Sequence, residues 1–425
     1  MNRSKEKRTL QRMINSLFSE KAFIKINSIE DIKNLDDFLG QELRLSEKKS
    51  IFITTDTRLT LRSITNRIIS FYDLEEYITF SEVFLNLEKV YADYLLNNKH
   101  LANMLDDVYK SAKSEINTFN NLMCCEGVKL KNIKILNCGN YWIVPSDISI
   151  FNEAYGKNDP NFYEMMKDYL WIIGSEEGSK KQVQQRFDYQ TNLITSFLNI
   201  CFQTVNKKSI FSYRIQVLNS SSTHKSRQPR LQWKNTCEGN SFSYAFPSFS
   251  IAEIDSELLE YFRENLFFDS FFNILQSKEK TEVQDAIIKA VYWYCEATKD
   301  NNATMKFIKL WSCIECFFSI TDTKISESNA KGLACILVYG GYGIYDVNSY
   351  NELKIKIKKL YAKRSKALHR AYWSNIENID VIELANWSAW LIISALGLSV
   401  VGNYSMLSQI KEQSFRLDDL QNKMQ

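Results

Sequence analysis

Proline divides this chain in two. All four prolines (Pro145, Pro160, Pro229 and Pro247) lie before residue 248, and none follows before Gln425. Proline removes a backbone donor and clashes with the preceding helical turn, so a stretch without it can run in long uninterrupted helices. The proline-free stretch also carries apolar residues at helical spacing. Ile287, Ala290, Val291 and Tyr294 mark one predicted helix, and Phe307, Ile308, Trp311, Ile314 and Phe318 a second. Leu353, Ile357, Leu360, Tyr361 and Leu368 mark a third, and residues 382–401 a fourth. Four helices of these lengths suggest an antiparallel bundle. Between the second and third, Tyr339-Gly-Gly-Tyr-Gly343 reads as a turn, because no Gly-Lys-Ser/Thr follows it to make a phosphate loop.

The part that contains proline reads differently. Residues 1–127 look mostly helical, with Phe84, Leu87, Tyr91, Tyr94 and Leu95 in phase, then Leu101, Leu105, Val108, Ala112, Ile116 and Phe119. Ile51-Phe-Ile-Thr-Thr55 is a short strand candidate. Further on, Asn132–Leu136 and Tyr141–Val144 read as paired strands around the turn residues Asn137-Cys-Gly-Asn140. Ser209–Leu218 and Arg230–Trp233 are further strands, joined by a polar, basic loop that holds His224. That loop reads as solvated, with phosphate contact as the other reading. The expected fold class is therefore mainly α with an α/β middle region and a C-terminal antiparallel helical bundle. Its regions are 1–127, mostly helical; 128–275, mixed α/β and a candidate sensor or regulatory domain; and 276–425, the bundle.

A length of 425 residues allows two or three domains with real cores, and 45% hydrophobic with 24% charged residues is ordinary for a folded protein. Net charge is only +3, so any affinity for nucleic acid must come from local patches. Nine cysteines, an odd number without a paired framework, fit a reducing, cytoplasmic setting. Cys124-Cys125 and Cys313-x-x-Cys316 are the close pairs. With no second CxxC and no histidine nearby they read as structural, so neither a metal nor another cofactor is expected. The charged N-terminus has no following apolar run and does not read as a signal peptide. Trp387–Val401 is apolar but short for a membrane span, and reads as a buried bundle helix with no membrane partner.

The chemistry-bearing residues sit on the third bundle helix. Residues 354–370 carry eight lysines or arginines and no acid. Within them, Arg364-Ser-Lys-Ala-Leu-His369 supplies two groups that suffice to cut RNA without a metal. A neutral imidazole moves protons, and a permanent guanidinium holds a phosphate whose charge grows in the transition state. The other histidines, His100 and His224, have no arginine at this spacing. An Arg-x4-6-His match arises by chance in about a third of such chains, so the surroundings must decide. Arg364 falls in the middle of the helix's apolar face, where a charge must pair, bind something, line a cleft or snorkel to the rim. His369 lies about 140° further round an ideal helix, so the two side chains converge only if the helix bends or ends, or if a second subunit completes the site. Nearby cations disfavour the imidazolium and keep His369 neutral near pH 7. Glu315, at the margin of the second helix's apolar face, reads either as the partner of Arg364 or as a solvated charge. Ser365 reads either as a phosphate or histidine ligand or as a backbone-bonded serine. Lys358, Lys359, Lys363, Lys366 and Arg370 are the candidate RNA-binding cations.

Residues 281–402 resemble a HEPN domain of the Apea-like type. The carriers are Asp285–Trp293, then Leu310-Trp-Ser-Cys-Ile-Glu-Cys-Phe-Phe318, then Leu360-Tyr-Ala-Lys-Arg-Ser-Lys-Ala-Leu-His369, with an apolar closing helix. The resemblance implies metal-independent RNA cleavage, usually in a homodimer that brings two Arg-x4-His elements into one groove. It implies His369 handling protons while the ribose 2′-OH attacks its own phosphate, Arg364 stabilising the phosphorane, and 2′,3′-cyclic phosphate products. It also implies a defence or toxin effector, held by an antitoxin or released by a trigger partner. The alternatives are a non-catalytic RNA-binding scaffold, and a dimerisation module that serves an activity elsewhere in the chain.

Overall fold

The computed structural model describes residues 3–19, 22–25, 40–46, 49–146, 169–205, 214–218, 230–236, 239–245, 250–319, 324–370 and 376–424. The chain forms two compact units, Met1–Asn121 with Ser175–Asp188, and Leu122–Gly174 with Tyr189–Gln425. The three regions expected above follow composition, whereas these units follow packing; the middle region apart from Ser175–Asp188 falls in the same unit as the bundle.

The first unit opens with α1 (Arg3–Ser16) and a three-stranded antiparallel sheet, order β1-β3-β2, made of β1 (Phe23–Lys25), β2 (Gly40–Ser46) and β3 (Lys49–Thr54). The predicted strand at Ile51 is β3. The region is mostly helical, and the sheet adds β1 and β2 to the one strand expected there, since neither shows an alternation long enough to detect. α2 (Thr55–Phe71), α3 (Phe80–Asn97) and α4 (Met104–Ser114) follow. Thr79 caps α3 in a full capping box with Glu82. Ile51, Ile53, Ile64, Ile68, Leu87 and Val108 are among the buried residues of this unit's core. The predicted helical run through Ile116 and Phe119 stops early, because Asn117–Glu126 is β4. Strand pairing there overrides the local period. His100 accepts the Ala102 N–H through Nδ1 at 3.4 Å, as the cap of a single helical turn.

The second unit holds a five-stranded sheet, order β6-β7-β8-β4-β9, from β6 (Leu136–Cys138), β7 (Tyr141–Pro145), β8 (Leu170–Gly178), β4 and β9 (Gln216–Val217). The β6–β7 hairpin turns at Gly139, whose φ of +72° suits glycine, and pairs Leu136 with Ile143. β6 is shorter than the predicted strand from Asn132. β5 (Val128–Leu130) pairs with β12 (Ala252–Ile254), and β10 (Arg230–Thr236) pairs with β11 (Gly239–Ala245). The loop 219–229, with His224, and the first part of the strand predicted at Ser209 lie outside the described residues.

Long α5 (Lys180–Val205) precedes the C-terminal helices α6 (Ser256–Leu266), α7 (Phe268–Gln276), α8 (Glu282–Lys299), α9 (Ala303–Phe318), α10 (Ile325–Tyr339), α11 (Tyr350–Arg370), α12 (Asn378–Val400) and α13 (Leu407–Met424). The four predicted helices are α8, α9, α11 and α12. The bundle holds more than four, and α10 lies in a stretch read as a connection. Residues 328–330 and 332–338 of α10 are all buried, so it has no polar face and no periodic stripe to read. Gly332 lets it approach α9, for a Cβ there would stand 2.3 Å from the Phe318 ring. α12 is long and apolar enough to cross a membrane, and 72% of its most apolar window is buried against the rest of the unit. α11 and α12 run antiparallel, since Lys356 pairs with Glu383 and Lys363 with Asp380. The Ser388 hydroxyl donates to the Leu310 carbonyl at 3.3 Å and ties α12 to α9.

Candidate functional site

Half of the eight cations of α11 are spent within the fold. Lys354 pairs with Asp418 of α13 at 2.6 Å, and Lys356 with Glu383 of α12. Lys363 pairs with Asp380 of α12 at 2.7 Å, and Arg364 with Glu315 of α9 at 2.8 Å. Asp380 also accepts the Glu377 N–H at 3.0 Å, so the Lys363 partner belongs to the α12 capping box. Lys358, Lys359 and Lys366 are exposed on the outer side of the helix. The five cations expected to meet RNA therefore separate: three are exposed, Lys363 is engaged within the fold, and the Arg370 side chain lies outside the described residues.

The Arg364 end is built from two facing helical rows. Trp311 and Glu315 are one turn apart on α9, and Tyr361 and Arg364 one turn apart on α11. The Tyr361 ring meets Trp311 edge to face, with centroids 5.4 Å apart at 82°. The Arg364 guanidinium lies 5.8 Å from the centre of the Tyr361 ring. An Arg364 N–H donates to the Glu315 Oε2 atom at 2.8 Å. Of the two readings of Glu315, the structure has the ion-pair partner. Both side chains keep a narrow edge to solvent, 17% for Arg364 and 19% for Glu315.

This cluster is incompletely satisfied. Arg364 Nε and Trp311 Nε1 are both buried and meet no acceptor, and the same holds for the hydroxyl of Ser319, one turn beyond Glu315. A buried donor left unpaired costs about 1–3 kcal/mol, so three of them in one cluster mark a place that is not optimised for stability. Burial pushes the Glu315 carboxyl up, and the Arg364 charge pulls it only part of the way back, leaving it above its ordinary value. Burial and the Glu315 charge likewise push the Tyr361 phenol up. Next in sequence, the Cys316 thiol is raised to about 12, chiefly by burial, and burial likewise raises Cys313 well above the ordinary thiol range. At neutral pH both are thiols, poor nucleophiles and poor metal ligands.

His369 and Arg370 complete α11, which runs unbroken through this segment; their side chains lie outside the described residues. Ser365 is half-buried beside Arg364. Arg364 and Glu315 are thus brought together, while the helical phase of an unbroken α11 turns position 369 away from position 364. Trp311 and Tyr361 enter the candidate site only with the structure. From sequence they are periodic apolar positions, and nothing marks an indole N–H as unpaired. Among the described residues no group of histidine, cysteine and acidic side chains is arranged to hold a metal ion. No family model matches this chain, and no curated protein or solved structure does either.

Proposed function

We propose that this protein is an endoribonuclease of the HEPN type, cutting RNA without a metal and acting as a defence or toxin effector in the cytoplasm. The observation that carries the reading is Arg364. It sits at the solvent edge of the bundle with a buried unpaired Nε, and its carboxylate partner is itself disfavoured as an anion. A guanidinium has five donors in a planar fork, so a phosphate can replace Glu315 on one edge and meet the free donors on the other. Glu315 then takes up a proton or faces solvent, which its raised pKa favours.

In this mechanism the ribose 2′-oxygen attacks the adjacent phosphorus and its proton passes to His369. The phosphorus–O5′ bond breaks, the leaving 5′-oxygen takes a proton from a protonated His369, and a 2′,3′-cyclic phosphate remains. Arg364 stabilises the five-coordinate phosphorus, whose charge is greatest in the transition state. Because α11 is unbroken, Arg364 and His369 meet across two copies of the chain in a homodimer, and the exposed row Lys358, Lys359 and Lys366 guides the strand. An antitoxin or trigger partner would act by covering or exposing that groove.

The test is labelled total RNA incubated with purified protein in excess EDTA, beside Arg364→Ala and His369→Ala, with product ends identified. Wild type should cut RNA and not DNA and leave cyclic phosphates, while both variants lose roughly a hundred- to ten-thousandfold in rate. A second reading, an RNA-binding or dimerising scaffold, is favoured by the occupancy of Arg364 by Glu315. It predicts RNA affinity without cutting in all three proteins.

A further inference from the structure

The four most exposed aromatic side chains among the described residues are Trp142, Tyr189, Tyr261 and Tyr292, and two of them touch each other. Tyr189 of α5 and Tyr292 of α8 have ring centroids 6.0 Å apart, tilted by 35°, and are 40% and 39% exposed. Trp293 edges the pair, with its ring 5.7 Å from Tyr292 at 69°. The two helices are pinned beneath the rings, because the Ser196 hydroxyl of α5 donates to the Val291 carbonyl of α8 at 3.1 Å. The rings are therefore held in place before anything binds.

We propose that Tyr189, Tyr292 and Trp293 form a stacking platform for unpaired bases of a single-stranded RNA, a subsite that extends from the Arg364 site. The inference rests on the endoribonuclease reading and narrows its substrate to unpaired RNA. The platform's position supports it. Glu296, one turn after Tyr292 on α8, accepts the Lys309 ammonium of α9 through its backbone carbonyl at 3.1 Å. The rings thus border the α9 segment just before Trp311, whose indole meets Tyr361 of α11. Their chemistry also points to bases. Every nucleobase has a π-face that stacks on tyrosine or tryptophan, whereas a duplex hides those faces. The apolar area is only a few rings wide, with Lys289 and Asp285 paired at 2.5 Å on the same helix face. Three rings, each able to bury about 150–250 Å² when fully covered, fall short of the roughly 800 Å² per side that a stable protein partner needs. Since Lys289 is balanced by Asp285, the platform holds RNA by its ring faces and adds little to the dependence on salt.

The experiment uses the full chain carrying His369→Ala, so that RNA survives, and a fluorescent single-stranded oligoribonucleotide read by anisotropy across a salt series. Tyr292→Ala and Tyr189→Ala should each weaken binding by roughly five- to a hundredfold, with the salt slope unchanged. Tyr292→Phe keeps the ring and should bind like the parent, and a matching duplex should not distinguish Tyr292→Ala from the parent. Unaltered thermal unfolding of each variant excludes loss of fold as the cause. Parent binding that persists in Tyr292→Ala within twofold overturns the platform and leaves the RNA reading standing. A parent that binds no single-stranded RNA overturns both.

Discussion

The two ends of α11 carry buried ion pairs of opposite character. At the N-terminal end Asp418, 1% exposed, receives Lys354 at 2.6 Å, Lys331 at 3.0 Å and the Tyr350 hydroxyl at 2.9 Å. Asn422 donates a longer bond to it, at 3.4 Å. Burial pushes that carboxyl up, but the hydrogen bonds from Lys354, Lys331 and Tyr350 outweigh it, and Asp418 stays below its ordinary range. At the C-terminal end Glu315 has one partner, its carboxyl lies above its ordinary range, and donors on Arg364 and Trp311 are left over. A satisfied buried network locks helices together, and an unsatisfied one is a reservoir that something else can use. One helix thus holds a lock at one end and an open hand at the other.

Removing the lock should have the largest effect on stability. Asp418→Ala takes from Lys354 its carboxylate and leaves Lys331 only Glu327 and the Tyr350 hydroxyl only the Cys335 sulfur, and should cost about 3–5 kcal/mol in urea unfolding. A loss under about 1 kcal/mol would remove the contrast between the two ends. Arg364→Ala should cost less, about 1–2 kcal/mol, because the edge is partly wet and Glu315 can escape its burial by taking a proton. Its effect belongs to RNA cleavage, where the loss should be at least a hundredfold.

Acid should separate the two ends by sign. Asp418 is held low, so its contribution is complete above the unfolded aspartate value and is lost as pH falls through its folded value. Glu315 is held high, so the folded state binds its proton first. Its burden on stability is fully present above the raised folded value and is relieved as pH falls through it. Unfolding measured across the acid range should therefore show Asp418→Asn flattening the acid loss, and Glu315→Gln removing an opposing gain. The smallest effects belong to the outer row. Lys359→Ala and Lys366→Ala should leave stability alone and each lower the salt slope of RNA binding by about one.

Much of this contrast was legible in the sequence at one end only. Arg364 stands on the apolar face defined by Ile357, Leu360 and Tyr361, and a charge there demands a partner, which made Glu315 readable as a candidate. Asp418 was not readable. It lies on α13, a polar helix whose relation to Lys331 and Lys354 is set by tertiary packing, and α10, which supplies Lys331, has no periodic signature. The β1–β3–β2 sheet was half legible, because only β3 carries the Ile-Phe-Ile run that local propensity marks. Orphan donors such as Trp311 Nε1 have no trace in sequence, since they depend on what a neighbouring helix fails to present.

The most direct test of the contrast is Glu315→Gln, measured for both unfolding stability and RNA cleavage. If Glu315 is the resting partner that a phosphate displaces, the variant should stay within about 1 kcal/mol of wild type, because a neutral amide needs no costly desolvation. It should also cut RNA several-fold faster, with Arg364 already released. A variant that loses about 3–5 kcal/mol, as Asp418→Ala should, with cleavage unchanged or lower, would show that both ends of α11 are locks and that Arg364 is a structural arginine.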